Sequence, residues 1–329
     1  RNSFLELLWN PGNIERDKIY FDTTMSNDYK SPWTISNSQA LEQLQGLRTP
    51  GLGVGLPIPA LVDMPEEDTP SWINVNKSEF GGRLGGEAGG WFLTLNYFQG
   101  FSKTPVLEGN LNPLLPFLAS LGGHPLFPPP PFQYLPSSLP IHVKFEYPRE
   151  RVIGFTFNKA TGLWVWRGEF ATYMDKHYNI IKENPMPDIT ITRNALQASM
   201  LGFDYKRFIT WLNPEKMFFI SGQVFNHHIF DYDEELRFGP YAQKPREDSY
   251  ALSLLVNTEY HMGRICPEVL VVYDAAATGW YIKPRLEFKY GDHWRPEIGA
   301  LVFTGDQYEL PFGELNNNDE IYFRLKYQF

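Results

Sequence analysis

Residues 321–329 read Ile-Tyr-Phe-Arg-Leu-Lys-Tyr-Gln-Phe, and every second position is apolar: Ile321, Phe323, Leu325, Tyr327 and Phe329. Between them stand Tyr322, Arg324, Lys326 and Gln328. A strand sends alternate side chains to opposite faces, so the stretch predicts a strand with one charged and one uncharged side. A half-buried strand of a soluble sandwich alternates in the same way. What separates the two readings is whether the other strands also keep one face free of charge, as hydrocarbon demands of every strand that crosses it.

They do so nearly throughout. Over 140–158, Ile141, Val143, Phe145, Tyr147, Ile153, Phe155 and Phe157 share one parity, broken by Arg149 and Arg151. The opposite parity holds His142, Lys144, Glu146 and Glu150. After a turn at 158–162, Trp164, Trp166, Gly168 and Phe170 oppose Arg167 and Glu169. Farther on, Tyr250, Leu252, Leu254, Val256, Thr258 and Tyr260 oppose Ser253, Asn257, Glu259 and His261. Ile282, Pro284, Leu286, Phe288 and Tyr290 oppose Lys283, Arg285, Glu287 and Lys289. Trp294, Pro296, Ile298, Ala300 and Val302 oppose Arg295 and Glu297. Pro284 is expected at an edge or a bulge, since proline has no N–H to give to a ladder. Tyr147, Trp164, Tyr250, Tyr260, Trp280, Tyr290, Trp294 and Tyr327 gather where the apolar faces begin or end. Rings with one polar tip suit the lipid headgroup level, and half-exposed core aromatics of a soluble barrel are the alternative.

The closing strand, ending on Phe329, resembles the last strand of bacterial outer-membrane β-barrels. That resemblance implies that Phe323, Leu325, Tyr327 and Phe329 form the signal read by the barrel-insertion machinery. A second likeness is carried by Gly202–Ile229, GFDYKRFITWLNPEKMFFISGQVFNHHI, together with Lys77–Leu84, KSEFGGRL. These stretches resemble an uncharacterised proteobacterial outer-membrane family, a domain of unknown function, over most of the chain from about Trp72 onward. The likeness implies the cell outer membrane of a Gram-negative bacterium, with that membrane's lipids as partners, and it brings no activity or catalytic residue. Members of that family are longer than this chain, which puts the completeness of residues 1–77 in question.

Composition agrees with strands. The 329 residues carry a net charge of -9, 43% hydrophobic and 16% aromatic residues, 27 Gly and 27 Pro, a mixture that favours short strands and loops over long helices. No uninterrupted apolar run reaches the roughly 18 residues of a spanning helix. The acidic balance argues against a nucleic-acid partner, because phosphate binding needs a basic face. Cys266 is the single cysteine, which excludes an internal disulfide framework and any paired-cysteine metal or haem site. The chain opens at Arg1 without Met or a charged-then-apolar leader, so an exported form is expected to have lost its signal.

The expected fold is all-β, an antiparallel transmembrane β-barrel of about twelve or more strands with long extracellular loops. Strands are expected at 4–9, 78–87, 90–100, 140–158, 163–173, 192–204, 216–230, 248–262, 267–275, 279–290, 293–304 and 319–329. Short connections then fall on one side and long ones on the other, the barrel habit. Residues 1–77 read as an N-terminal strand and a long external or plug-like segment, and 78–329 as the barrel with a large loop at 101–139. That loop is too apolar for a solvated linker: Leu114, Leu115, Phe117, Leu118, Leu121, Leu126 and Phe127 need something to bury against, and a lid packed on the rim is the simplest answer.

Chemistry is mostly absent, and no enzyme, cofactor or metal is expected. No Gly-x-Ser-x-Gly occurs, and Ser221 sits inside a strand without a local histidine base before His227. His227 and His228 point to opposite faces, so they do not chelate one ion together. The run Asp231, Asp233, Glu234 and Glu235 reads as a solvated charge run rather than a calcium loop. The glycines between Gly81 and Gly90 lack a phosphate-loop pattern and suit a tight hairpin.

What remains is the polar face, read as pore-lining: Arg83, Lys144, Glu146, Arg167, Glu169, Lys283, Arg285, Glu287, Lys289, Arg295, Glu297, Arg324 and Lys326, with Glu79, Glu150 and Glu259 on the same parity. Over the last three strands the count is six basic to two acidic, a wall that would favour anions by local concentration. The opposing reading is an internally salt-bridged lumen. The function expected is a porin-like channel for passive passage of small, anionic or amphipathic solutes. Its alternative is a structural sheath that holds a protein partner in its lumen or on its long loops.

Overall fold

The computed structural model describes residues 3–11, 62–63, 78–102, 106–110, 143–183, 187–237, 244–306 and 311–329. Sixteen strands occur in chain order: β1 (Ser3–Asn10), β2 (Val62–Asp63), β3 (Glu79–Ala88), β4 (Trp91–Phe101), β5 (Val106–Asn110), β6 (Val143–Glu146), β7 (Arg149–Thr161) and β8 (Trp164–Glu183), then β9 (Pro187–Arg207), β10 (Phe218–Ile229), β11 (Leu236–Arg237), β12 (Asp248–Asn257), β13 (Ile265–Asp274), β14 (Gly279–Phe288), β15 (Trp294–Thr304) and β16 (Glu320–Tyr327). The fold is all-β in a single sheet. Its main path is antiparallel and runs β1-β3-β4-β7-β8-β9-β10-β12-β13-β14-β15-β16, twelve strands, with β1 and β16 as its edges. Neighbours in the path are neighbours in sequence or nearly so, because tight turns return the chain beside itself. Gly89 and Gly90 take φ of 59° and 75° between β3 and β4, the doubly left-handed turn that only glycine adopts freely.

Directly opposed residues of an antiparallel pair share a face, so the register can be followed across the sheet. One row runs Gly86, Leu93, Phe157, Gly168, Leu201, Val224, Leu252, Tyr273, Trp280 and Thr304. The next runs Trp91, Lys159, Trp166, Phe203, Gly222, Leu254, Val271, Ile282 and Val302. At the β16 edge, Ile298 opposes Phe323, Pro296 opposes Leu325 and Trp294 opposes Tyr327. Among the described residues, charges on this face stand only near strand ends. Arg149, Arg151, Asp175, His177, Arg193, His228 and Asp248 lie toward the long connections, and Lys159 and Arg207 toward the short ones. Between Arg151 and Lys159, eight residues or about 27 Å of strand, β7 offers only Ile153, Phe155 and Phe157 to this side.

The apolar face is not buried by the rest of the chain. Large hydrophobic residues left exposed include Leu84, Leu95, Phe155, Trp166, Leu201, Val224, Leu254, Val269, Ile298 and Phe323. Buried apolar packing among the described residues is local, around Tyr178, Ile229 and Leu236 with Ile180, Leu196 and Tyr232. There the connection after β10 crosses β8 and β9 at the long-loop end. Asn194 Nδ2 pins it by donating to the carbonyls of Phe230 at 3.1 Å and Asp231 at 2.7 Å, and Leu236 pairs with Ile180.

Three expectations need correction. The strand expected over 140–158 is two: β6 pairs with β5 and β2, and β7 begins afresh at Arg149 after Tyr147 and Pro148. Proline before the break supplies no ladder N–H. The strands expected at 163–173 and 192–204 run to Glu183 and from Pro187, because a bulge between Tyr173 and Lys176 shifts the parity and conceals the continuation. Pro284 lies in an interior strand without a bulge: the ladder to β15 skips Lys283 and Pro284 and resumes at Arg285–Gly299 in unchanged register. The loop 101–139 beyond Asn110 and the residues 12–61 and 64–77 lie outside the described residues, and the lid expectation with them.

Glycines opposite rings recur in the sheet. A Cβ added at Gly168 would stand 2.1 Å from the Phe157 ring, and one at Gly222 2.8 Å from the Phe203 ring, so each ring lies flat over a bare backbone. Gly82 faces nothing closer than Leu7 at 3.8 Å. Gly168→Val is therefore expected to lower unfolding stability by about 1–3 kcal/mol, and Gly82→Ala to stay within about 0.5 kcal/mol, both read from urea-unfolding midpoints in detergent micelles.

Candidate functional site: the polar face

The opposite parity carries the ionisable groups, and register decides which of them meet. Asn257, Glu268, Arg285, Gly299 and Tyr322 form one row over β12 to β16, and Glu287, Glu297 and Arg324 form the next. Arg285 donates through Nε to Glu268 Oε1 at 2.7 Å and through Nη2 to Oε2 at 2.9 Å, a planar fork on a carboxylate. Its Nη1 lies 3.5 Å from Glu297 Oε2. Glu297 is the centre of this wall: it is 1% exposed, with Arg324 at 3.8 Å, Lys326 at 3.6 Å, and the Tyr322 hydroxyl donating at 3.0 Å. Gly299 makes that last contact possible, since a Cβ there would stand 2.6 Å from the Tyr322 ring.

The remaining basic residues of the wall are also engaged. Lys289 Nζ donates to Glu259 Oε1 at 3.2 Å, a bond that raises the ammonium above its ordinary pKa and keeps it charged. Arg295 turns to the backbone, giving hydrogen bonds to the carbonyls of Gly291, Asp292 and Trp294. Lys283 has no ion-pair partner among the described residues. Six basic groups thus share this face with six acidic ones, Glu259, Glu268, Asp274, Glu287, Glu297 and Glu320, and the charges of the wall cancel.

The other predicted residues divide into smaller groups. Arg167 Nη2 donates to Asp204 Oδ1 at 2.6 Å and to Ser221 Oγ at 3.2 Å. Arg83 is 4.0 Å from Glu6 and lies 5.7 Å from the centre of the Phe4 ring. Glu150 accepts from Lys176 at 3.0 Å, and Glu79 accepts from Asn10 and from the Phe101 amide. Glu169 stands exposed between Thr156 and Met200. The side chains of Lys144 and Glu146 lie outside the described residues. Of the insertion signal, Phe323, Leu325 and Tyr327 line the apolar side of β16, and Phe329 follows fully exposed.

Sequence reasoning missed Glu6, Lys176, Asp204 and Glu268. Applying the same parity to 267–275 finds Glu268; Asp204 required knowing that β9 stands beside Arg167. His227 and His228 do face opposite ways, with His228 Nδ1 3.0 Å from Asp248. No group of three metal-ligating side chains occurs among the described residues. Asp233 caps the Glu235 amide and Glu234 pairs with Lys244, the solvated use expected of that run. No family model matches this chain, and a search of curated proteins finds no match.

Glu297→Gln leaves Arg285, Arg324 and Lys326 facing one another without their shared carboxylate. It is expected to cost about 1–3 kcal/mol, less than for a fully buried pair because the cations keep part of their water. Adding Arg324→Gln should recover part of that loss, and Lys283→Gln alone should change stability by less than about 0.5 kcal/mol; a double-variant cycle in chemical unfolding reads all three.

Proposed function

We propose that the chain is a transmembrane β-barrel of the bacterial outer membrane that passes small polar solutes passively along its charged face. The observation that carries this reading is the uncharged band kept in register across the sheet, with exposed aliphatic and aromatic side chains in the middle and charges only at its ends. Water gives such a surface no stability, whereas hydrocarbon does. A run of about 27 Å between Arg151 and Lys159, tilted by about 35–45° as barrel strands are, rises about 19–22 Å, close to an apolar band about 25 Å tall.

Aromatic residues at the short-turn end support the same placement. Trp164 stacks on Trp166 at 5.5 Å and on Tyr205 at 4.0 Å, and Trp294, Tyr327 and Phe329 pack in series at the last hairpin. These positions suit the inner headgroup layer, with the long connections outside the cell. The mixed, paired charges on the other face suit a water-filled lumen. With the charges of the last wall cancelling, preference for anions is mild and set by Lys283 and by whatever frees Arg285 or Arg324 from their carboxylates.

Reconstitution into vesicles tests both halves. Trp164 and Trp166 fluorescence is expected to fall with a bilayer-resident quencher and to resist aqueous iodide; the reverse pattern overturns the membrane reading. In planar bilayers, stepwise ion conductance is expected, with Glu297→Gln raising anion preference over the parent. Insertion without conductance would favour the sheath reading, in which a protein partner fills the lumen.

A further inference from the structure

The parity that carries the charges also carries an apolar patch, at the long-connection end of the last strands. Leu270 on β13 stands directly opposite Lys283 on β14, and Val272 stands opposite Tyr281. On the other side of β14, Tyr281 opposes Phe303, and the unchanged register of β15 brings Leu301 opposite Lys283. Tyr281 stacks on Phe303 with ring centres 5.2 Å apart, and at 5.9 Å on Phe312, which comes from the connection after β15. Glycine lets that connection approach: a Cβ on Gly279 would stand 3.3 Å from the Cβ of Phe312. All six of these apolar and aromatic residues keep part of their surface open.

Lys283 stands within this patch and is the cation that pairing leaves over. The acids around it are committed or distant. Glu268, diagonal to it on β13, holds the Arg285 fork, and Asp274 accepts from the amides of Ala276 and Ala277. Glu320 opposes Leu301 and so lies two strands, about 10 Å, from Lys283, and Glu287 lies about 13 Å along β14. Among the described residues no ion pair joins Lys283 to any of them. Packing of the connection accounts for Phe312 on Tyr281. It does not account for an ammonium set between two leucines, where lost hydration is not offset by a partner.

We infer that this patch binds an amphipathic monoanion, a carboxylic acid with an aromatic or aliphatic body, its carboxylate on Lys283 and its body against Tyr281, Phe303 and Phe312. The inference names the solute class of the channel proposed above and rests on that reading. A single ammonium is a compact point charge that suits one carboxylate, whereas the guanidinium fork of Arg285, better matched to phosphate, is already closed on Glu268. Tyr281 precedes Lys283 by two residues, about 7 Å of strand, so an acid whose ring follows its carboxylate by one or two carbons reaches both. The rings then offer it stacked or edge-on contacts. A small inorganic anion has no use for the rings, and a neutral hydrocarbon has none for the ammonium.

The test uses the full chain in non-ionic detergent micelles, with binding read by saturation-transfer NMR and conductance read separately in planar bilayers. Phenylacetate is expected to bind about tenfold or more tightly than acetate, which lacks the body, and than 2-phenylethanol, which lacks the charge. Lys283→Gln should bring phenylacetate down to the level of 2-phenylethanol and leave 2-phenylethanol unmoved, a split that loss of structure would not give. Lys283→Arg should retain the preference for the acid, and Phe312→Ala should weaken both aromatic probes alike. Equal affinity for phenylacetate and 2-phenylethanol, or a Lys283→Gln variant that still prefers the acid, overturns the inference. Should Phe312→Ala fail to fold, Lys283→Gln decides alone. Parent protein that conducts without preferring phenylacetate sinks the site and leaves the channel, whereas parent that binds phenylacetate and never conducts sinks the channel reading and leaves the site.

Discussion

The two-residue period of a strand is held in register from β1 to β16, and every other feature of the sheet is fitted around it. One slip of a single residue would exchange the faces of all strands beyond it, sending Glu268, Arg285 and Glu297 to the side of Val269, Ile298 and Phe323. The chain avoids this where a slip is easiest. Pro284 forfeits a ladder donor inside the sheet, yet Trp280–Thr304 and Glu287–Glu297 keep one register on either side of it. The bulge between Tyr173 and Lys176 lies beyond Ile153 and Phe170 toward the long connections, outside the uncharged band.

That period is also what the sequence makes legible. Eleven of the twelve main-path strands follow from alternation together with the placement of turns, and β1 follows from Phe4 to Trp9. Alternation loses its meaning once both faces carry polar side chains. The outer halves of β8 and β9 therefore escaped notice, as did the break between Glu146 and Arg149, although Pro148 marks it. Boundaries at turns were close, because Gly89, Gly162 and Gly291 adopt the positive φ that announces them.

The polar side was legible only as a set of residues. Parity names which charges share a face but not which are adjacent, since adjacency depends on the register between strands and on rotamers. The run of basic residues from Lys283 to Lys326 therefore looks opposed by only two acids in sequence. Folded, Glu268 comes from the neighbouring strand to grip Arg285, and Glu297 is ringed by Arg285, Arg324, Lys326 and Tyr322. Gly299 is the hidden term: without its missing side chain, Tyr322 has no room to cross the strand and reach the carboxylate.

Pairing of this kind changes what a charged wall can do. A free cation draws anions from a Debye length away, about 8 Å at physiological salt, whereas an ion pair presents a dipole whose field dies within a few ångströms. The wall therefore acts on a solute only at contact, by exchanging one partner for another. On the proposed channel reading, an anion at Arg285 must compete with a two-bond fork to Glu268, while one at Lys283 meets no ion-pair rival among the described residues. On the same reading, selectivity is a matter of which side chain is left over after pairing rather than of how many basic residues the strands carry, and the carboxylates that hold the wall together are what restrain it.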